Sequence, residues 1–344
     1  MTSHWSRRSF IAAGAILPFA TRADAAETID GRAFRGTRPV NDVGMEGGTA
    51  IHATTGMRIR NSTFDDFGNG AIRVAAGGAD RVVIEDCGGS NFYRFFENST
   101  VEGGPAAPIT NFVFRRIVAQ KIDRGMFQLK YDSRNGQFED CIAYGSDDGA
   151  RYCVGFAMVD NARDMYFRRC EAHRFAEVAR TQSQYWNGDG FSDERSNAGI
   201  HYHACIATQN ADGGFDTKST GVLLSECLAR GNKRNYRLWN TGRLEHCRSE
   251  TPVKRGGIGG TAHFSFHGGA GSRYVISRPY VRAVSGNTSP VFLFETTAPV
   301  VVDIYDADIK AYSAPLIVVN GPEPVINWYP ARKDQRIFVK SERG

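Results

Sequence analysis

Three short segments of this chain gather ionisable side chains at regular spacing. The first is Tyr185-Trp186-Asn187-Gly188-Asp189-Gly190-Phe191-Ser192-Asp193-Glu194-Arg195. The second is Asn210-Ala211-Asp212-Gly213-Gly214-Phe215-Asp216-Thr217-Lys218-Ser219, and the third is Asn232-Lys233-Arg234-Asn235-Tyr236-Arg237-Leu238-Trp239-Asn240. Aligned on Phe191, Phe215 and Tyr236, the segments place Asp216 and Arg237 in one column, 21 residues apart. Lys218 and Trp239 share the next outward column. Asp189 and Asp212 stand just before their strands and lean over the same patch. Three carboxylates beside two cations suit proton abstraction next to a carboxylate. Eliminating a glycosidic bond from a uronate requires the sugar carboxylate to be neutralised, by a metal ion or a cationic side chain. A base must then remove the acidified proton. Arg237 and Lys218 are the candidates for base and neutraliser, in either order, if nearby cations and partial burial lower the pKa of one of them. Lys233 and Arg234 flank the patch and suit sugar carboxylates. Trp239 and Trp186 offer aromatic faces to a sugar ring, and Glu194 joins the same substrate-binding patch.

Something must hold these columns in register, and a repeat does so. Val82-Val83-Ile84-Glu85-Asp86-Cys87 has counterparts ending at Cys141, Cys170, Cys205, Cys227 and Cys247. Met57 to Ser62, Phe112 to Ile117, Tyr274 to Pro279 and Val302 to Ala307 keep the pattern without the cysteine. A small residue recurs two positions later at Ala143, Ala172, Ala207 and Ala229. The columns are 20 to 35 residues apart with apolar alternation, the signature of a solenoid. A second strand follows each column by about ten residues, beginning at Phe127, Phe156, Phe191, Phe215 and Tyr236. The expected fold is therefore all-β: a single-stranded right-handed parallel β-helix of about ten coils, with 38 glycines spent largely at coil bends. Period-2 alternation points Phe215 and Thr217 inward and Asp216 and Lys218 outward. The cysteines fall at one inward position of successive coils, so they are expected as stacked, buried free thiols. No C-x-x-C pair points to zinc.

The chain has 344 residues, of which 41% are hydrophobic and 23% charged, enough to exclude disorder and a small stapled scaffold. A net charge of +5 without a basic run in the body of the chain argues against a nucleic-acid partner. Ser6-Arg7-Arg8-Ser9-Phe10-Ile11, an apolar stretch from Ala12 to Ala20 and Ala23-Asp24-Ala25 resemble a twin-arginine export signal. The apolar stretch is too short to span a bilayer stably. The expected organisation is a signal at 1–25, a β-helix domain at 26–330 and a charged tail at 331–344. A periplasmic or secreted bacterial protein follows, monomeric and free of the membrane once the signal is removed.

Asn187-Gly188-Asp189-Gly190-Phe191, with Asp212-Gly213-Gly214-Phe215-Asp216 one coil later, resembles the calcium-site motifs of family 9 pectate lyases, which are right-handed parallel β-helix enzymes. The resemblance implies Ca²⁺ as cofactor, with Asp189, Asp212 and Asp216 as metal ligands. Gly213 stands where the family has a further Asp. Asn235-Tyr236-Arg237-Leu238 matches the family's Gly-Phe-Lys-Leu segment, which implies that Arg237 is the base. Thr217-Lys218-Ser219 with Asn235-Tyr236-Arg237 is also similar to the family 6 lyases, the alginate lyases and chondroitinase B. That match makes Lys218 the base and Arg237 an assisting acid. The function implied is a polysaccharide lyase that cleaves an acidic polysaccharide such as pectate or alginate by β-elimination. Three alternatives remain open in the sequence. A uronate epimerase would use the same proton abstraction. A glycoside hydrolase would pair Asp189 with Asp212 or Asp216. A non-catalytic glycan-binding solenoid would use the patch for contact alone.

Overall fold

A computed structural model of the chain describes residues 27–39, 48–100, 104–331 and 339–340. The segment expected to be an export signal and nearly all of the charged tail fall outside the described residues. Strands dominate, and every pairing among them is parallel, each strand bonding to its counterpart one turn later. The result is a parallel β-solenoid of about ten turns, as the repeat implies. No helix among the described residues is long and apolar enough to cross a membrane.

The repeat is a backbone device as much as an apolar one. The residue before each column position turns the chain with positive φ. These residues are Asn61, Asp86, Arg116, Asp140, Arg169, Ala204, Glu226, His246, Arg278 and Asp306, with φ between 48° and 56°. The left-handed conformation bends the chain sharply between two strands of one coil, and Asn and Asp tolerate it best among non-glycine residues. The column residue then points inward. Cys87, Cys141, Cys170, Cys205, Cys227 and Cys247 are buried free thiols. The carbonyl of each of Cys141, Cys170, Cys205, Cys227 and Cys247 accepts a backbone hydrogen bond from the next coil, which keeps the column vertical. Burial pushes the Cys87 thiol up to about 11, which suits inert packing groups.

Three strands make up each middle coil. One precedes the bend (Ala198–His203), one follows it (Ile206–Thr208) and a third comes after a second bend (Gly213–Thr217). The third strands carry an aromatic spine. Ring centroids lie 4.7 Å apart for Phe156–Phe191, 4.9 Å for Phe191–Phe215 and 5.4 Å for Phe215–Tyr236, all stacked. These rings are fully buried, and they lock the register of the strands that bear the ionisable residues.

Candidate active site

The third strands Val154–Met158, Asp189–Asp193, Gly213–Thr217 and Arg234–Leu238 lie side by side. Their register pairs Ala157 with Ser192, Ser192 with Asp216, and Asp216 with Arg237. The neighbouring inward column pairs Phe191 with Phe215 and Phe215 with Tyr236. The bend before these strands is fixed by buried amides. Asn210 Nδ2 donates to Asn232 Oδ1 at 2.9 Å, and Asn232 Nδ2 donates to Asn235 Oδ1 at 3.0 Å. Stacked, satisfied amides set where Asp212 and Lys233 emerge from the bend.

Asp212 gathers three donors. Tyr185 Oη donates to its Oδ1 at 2.6 Å, Lys233 Nζ lies 3.3 Å away, and Arg237 Nη1 donates to Oδ2 at 3.2 Å. Asp216 accepts from Trp239 Nε1 at 2.7 Å, with Lys218 Nζ at 3.5 Å and Arg237 Nη1 at 3.8 Å. Lys218 also donates to Glu194 at 2.6 Å. Arg237 thus bridges two carboxylates, and its guanidinium lies 4.7 Å from the Trp239 ring centroid. Its Nε is buried without an acceptor.

This placement decides the protonation states. Burial works against the charge on Arg237, but Asp216 and Asp212 outweigh it and hold the guanidinium above its ordinary range. Burial likewise opposes the charge on Lys218, and Asp216 and Glu194 hold that ammonium above its usual range too. Both are held as cations in this setting, and of the two roles expected for Arg237 and Lys218, base and neutraliser, it suits the second. Asp189 behaves in the opposite way. Burial and the nearby Asp212 and Asp216 raise its carboxyl well above the usual carboxylate range, and its Oδ1 accepts from Gly213 N at 2.6 Å. Asp189 is thus the carboxyl of the cleft whose surroundings favour the protonated form. Tyr185 is pushed up by burial and by Asp212, so its hydroxyl stays protonated.

The donor set does not fit a calcium ion. Calcium needs six to eight oxygens free to turn toward it. The oxygens of Asp212 and Asp216 face Arg237, Lys218, Lys233, Tyr185 and Trp239 instead. Among the described residues, no group of three or more His, Cys, Asp or Glu side chains is placed to share a metal ion. Gly213 explains the departure from the four-carboxylate motif. A Cβ there would lie 2.8 Å from Asp189 Oδ1 and 3.1 Å from the Asp216 Cβ. A further carboxylate at this position would have to displace the Asp189 carboxyl.

Asp189, Asp212, Asp216, Lys218, Arg237, Trp239 and Glu194 line one cleft of about 480 Å³. Lys233, Arg234 and Trp186, expected to bind substrate, do not line it. The Lys233 side chain is 0% exposed, lies 3.7 Å from the Tyr185 ring centroid and donates to the carbonyl of Trp186 at 3.3 Å. Burial lowers its pKa. Arg234 turns the other way, to Glu295 at 2.7 Å and His267 at 3.2 Å. Trp186 packs on Gly256, and its indole N–H donates to the carbonyl of Thr181 at 3.0 Å. These three buttress the site from behind. The Trp186 stretch is clasped by residues 256–258: Ile258 N donates to the Gln184 carbonyl at 2.9 Å.

The cleft also contains residues that the three segments alone did not single out: Tyr185, Ser192, Arg94, Arg124, Gln128 and Tyr152. Arg124 was detectable. It stands three residues before its inward aromatic Phe127, as Asp212 does before Phe215 and Lys233 before Tyr236.

No family model and no curated protein matches this chain. Solved structures share its architecture. A pectate lyase, Pel9A, superposes with a TM-score of 0.47 at 14% identity, over 84% of this chain and 74% of that one. The A-module of the mannuronan C-5 epimerase AlgE4 of Azotobacter vinelandii gives 0.49 at 12% identity, over 88% and 91%. The surface protein and adhesin PfbA of Streptococcus pneumoniae gives 0.44 at 8% identity, over 88% and 91%. The likeness is one of solenoid architecture, and function has to be read from the site.

Proposed function

We propose that this chain is a polysaccharide lyase acting on a uronate-containing chain by β-elimination, without a metal ion. The observation that carries the reading is Arg237, held charged between Asp212 and Asp216, with Lys218 beside it on the same wall of the cleft. Two fixed cations bind the sugar carboxylate and spread the charge that develops as its α-proton leaves. The Asp189 carboxylate takes that proton. The C–H electron pair forms the new double bond and the glycosidic C–O bond breaks. The leaving oxygen takes a proton from Tyr185 Oη, which solvent then restores. Trp239 offers its ring edge to the sugar while its N–H fixes Asp216.

A carboxylate whose pKa is raised is a stronger base than an ordinary one. Because Asp189 must be ionised to act, kcat/KM falls as pH drops through its raised pKa, well above where an ordinary carboxylate would lose its charge. A glycoside hydrolase is the second reading, favoured by the same raised Asp189, which would then act as a general acid with Asp216 as its ionised partner. That reading reverses the sign: activity falls as pH rises through the Asp189 pKa. The test is to incubate the protein with pectate, alginate and a glucuronan. The lyase reading expects ultraviolet absorbance from an unsaturated product, abolished by Asp189→Asn. New reducing ends without that absorbance establish the hydrolase. Inverted uronates without cleavage establish an epimerase. Retention on an acidic-glycan column with no turnover leaves a binding solenoid.

A further inference from the structure

The cleft continues well past the acidic cluster. Along its outward column Gln128 pairs with Ala157, Ala157 with Ser192, and Ser192 with Asp216. Gln128 is therefore three ladder steps from Asp216, about 14 Å at about 4.8 Å per step. Arg124 stands beside it, lining the same cleft and half-buried. The two ends differ in charge balance. At the acidic end every cation has a carboxylate partner. At the far end Arg94 pairs with Glu97 at 3.0 Å, whereas Arg124 has no carboxylate within ion-pair distance among the described residues. Arg94, Tyr93, Cys153 and Glu177 act on it from further off, and the Tyr152 ring centroid lies 5.6 Å away. Burial and Arg94 hold it below the ordinary arginine range, yet an arginine remains charged even so. Gln128 is half-buried and lines the same cleft. A half-buried guanidinium without an ion-pair partner is costly to hold. A ligand that brings a carboxylate satisfies it, and the Gln128 amide can take a neighbouring hydroxyl.

We propose that Arg124 and Gln128 form a distal subsite for one further uronate unit of the same chain, with its carboxylate on Arg124 and a hydroxyl on the Gln128 amide. A pyranose ring in a linear chain is comparable in length to one ladder step, so this unit lies about three sugars from the one that reacts. The assignment rests on the uronate reading of the cleft. It adds a minimum chain length that the reacting end does not require.

The test is the affinity of size-defined oligogalacturonates, oligomannuronates and oligoguluronates, from dimer to hexamer, measured calorimetrically with the full chain. For the oligomer class that binds, wild-type affinity should rise about tenfold once the chain is long enough to reach Arg124, the gain of one charge-assisted hydrogen bond. Arg124→Ala should remove that step and leave the shortest bound oligomer unchanged. This variant relieves repulsion on Arg94, so its fold is retained. Arg124→Lys should restore part of the gain, and Gln128→Leu should lose a smaller share. If both Arg124→Ala and Gln128→Leu keep the wild-type length dependence, the subsite is refuted and the uronate reading stands. An equal gain for methyl-esterified oligomers refutes the carboxylate assignment. No binding of any uronate oligomer at any length refutes the uronate reading, and the subsite with it.

Discussion

Replacing Asp193 with Asn should change how stability depends on pH, by an amount that follows from the Asp193 surroundings. Asp193 closes the strand Asp189–Asp193 on its inward side and is fully buried. Its Oδ1 accepts from Lys218 N at 2.9 Å and Ser219 N at 2.6 Å, and Tyr202 Oη donates to Oδ2 at 3.2 Å. Burial outweighs those donors and raises its carboxyl from 3.8 to about 6. The folded protein therefore keeps a proton that the unfolded chain releases. Stability is greatest below the unfolded pKa, falls as pH rises through the interval between the two values, and is level above about 6. At 1.36 kcal/mol per pKa unit, the loss across that window is about 3 kcal/mol. Asp193→Asn keeps the acceptor for the two backbone N–H groups and does not titrate. The stability difference between the Asp193→Asn variant and wild type should therefore move in favour of the variant by up to about 3 kcal/mol between pH about 4 and about 7. Paired denaturant titrations across that range measure it. A difference that stays flat with pH refutes the burial-dominated account of Asp193.

Phe215 lies in the aromatic spine between Phe191 and Tyr236; Phe215→Ala should cost about 3–5 kcal/mol in denaturant unfolding. Gly213→Asp places a carboxylate against Asp189 Oδ1 and the Asp216 Cβ and should destabilise by about 2–4 kcal/mol, with no recovery on adding calcium. A calcium-dependent rise in the Tm of that variant would count against the cation-balanced site. Arg237→Ala should lower kcat/KM by about 10²–10³, the usual loss for a preorganised charge-stabilising donor. Arg237→Lys should fall between, since it keeps the charge and loses the fork that spans Asp212 and Asp216.

The solenoid was legible because its signals are local. The inward cysteine and the small residue two positions on recur in plain sequence. The inward aromatics then fix the register, so the pairing of Asp216 with Arg237 is readable from spacing alone. What side chains do where strands curl into bends could not be read in this way. Lys233 and Arg234 look like surface cations in sequence. The first is buried under Tyr185 and the second is drawn to Glu295, because residues from the next coil cover that bend. Trp186 looks like a sugar platform but is needed to pack Gly256. Protonation was equally hidden. That Arg237 lies between two carboxylates, and that a Cβ on Gly213 would press against Asp189 Oδ1, became visible only in the distances.

The central claim is that Arg237 and Lys218 do the neutralising that a calcium ion would otherwise do. The most direct measurement is the initial rate of unsaturated-product formation from a polyuronate, with and without EDTA, for wild type and Arg237→Ala. The account predicts a wild-type rate indifferent to EDTA and a rate lost in the variant that added calcium does not restore. A wild-type rate abolished by EDTA and recovered with calcium, or an undiminished rate in Arg237→Ala, would contradict it.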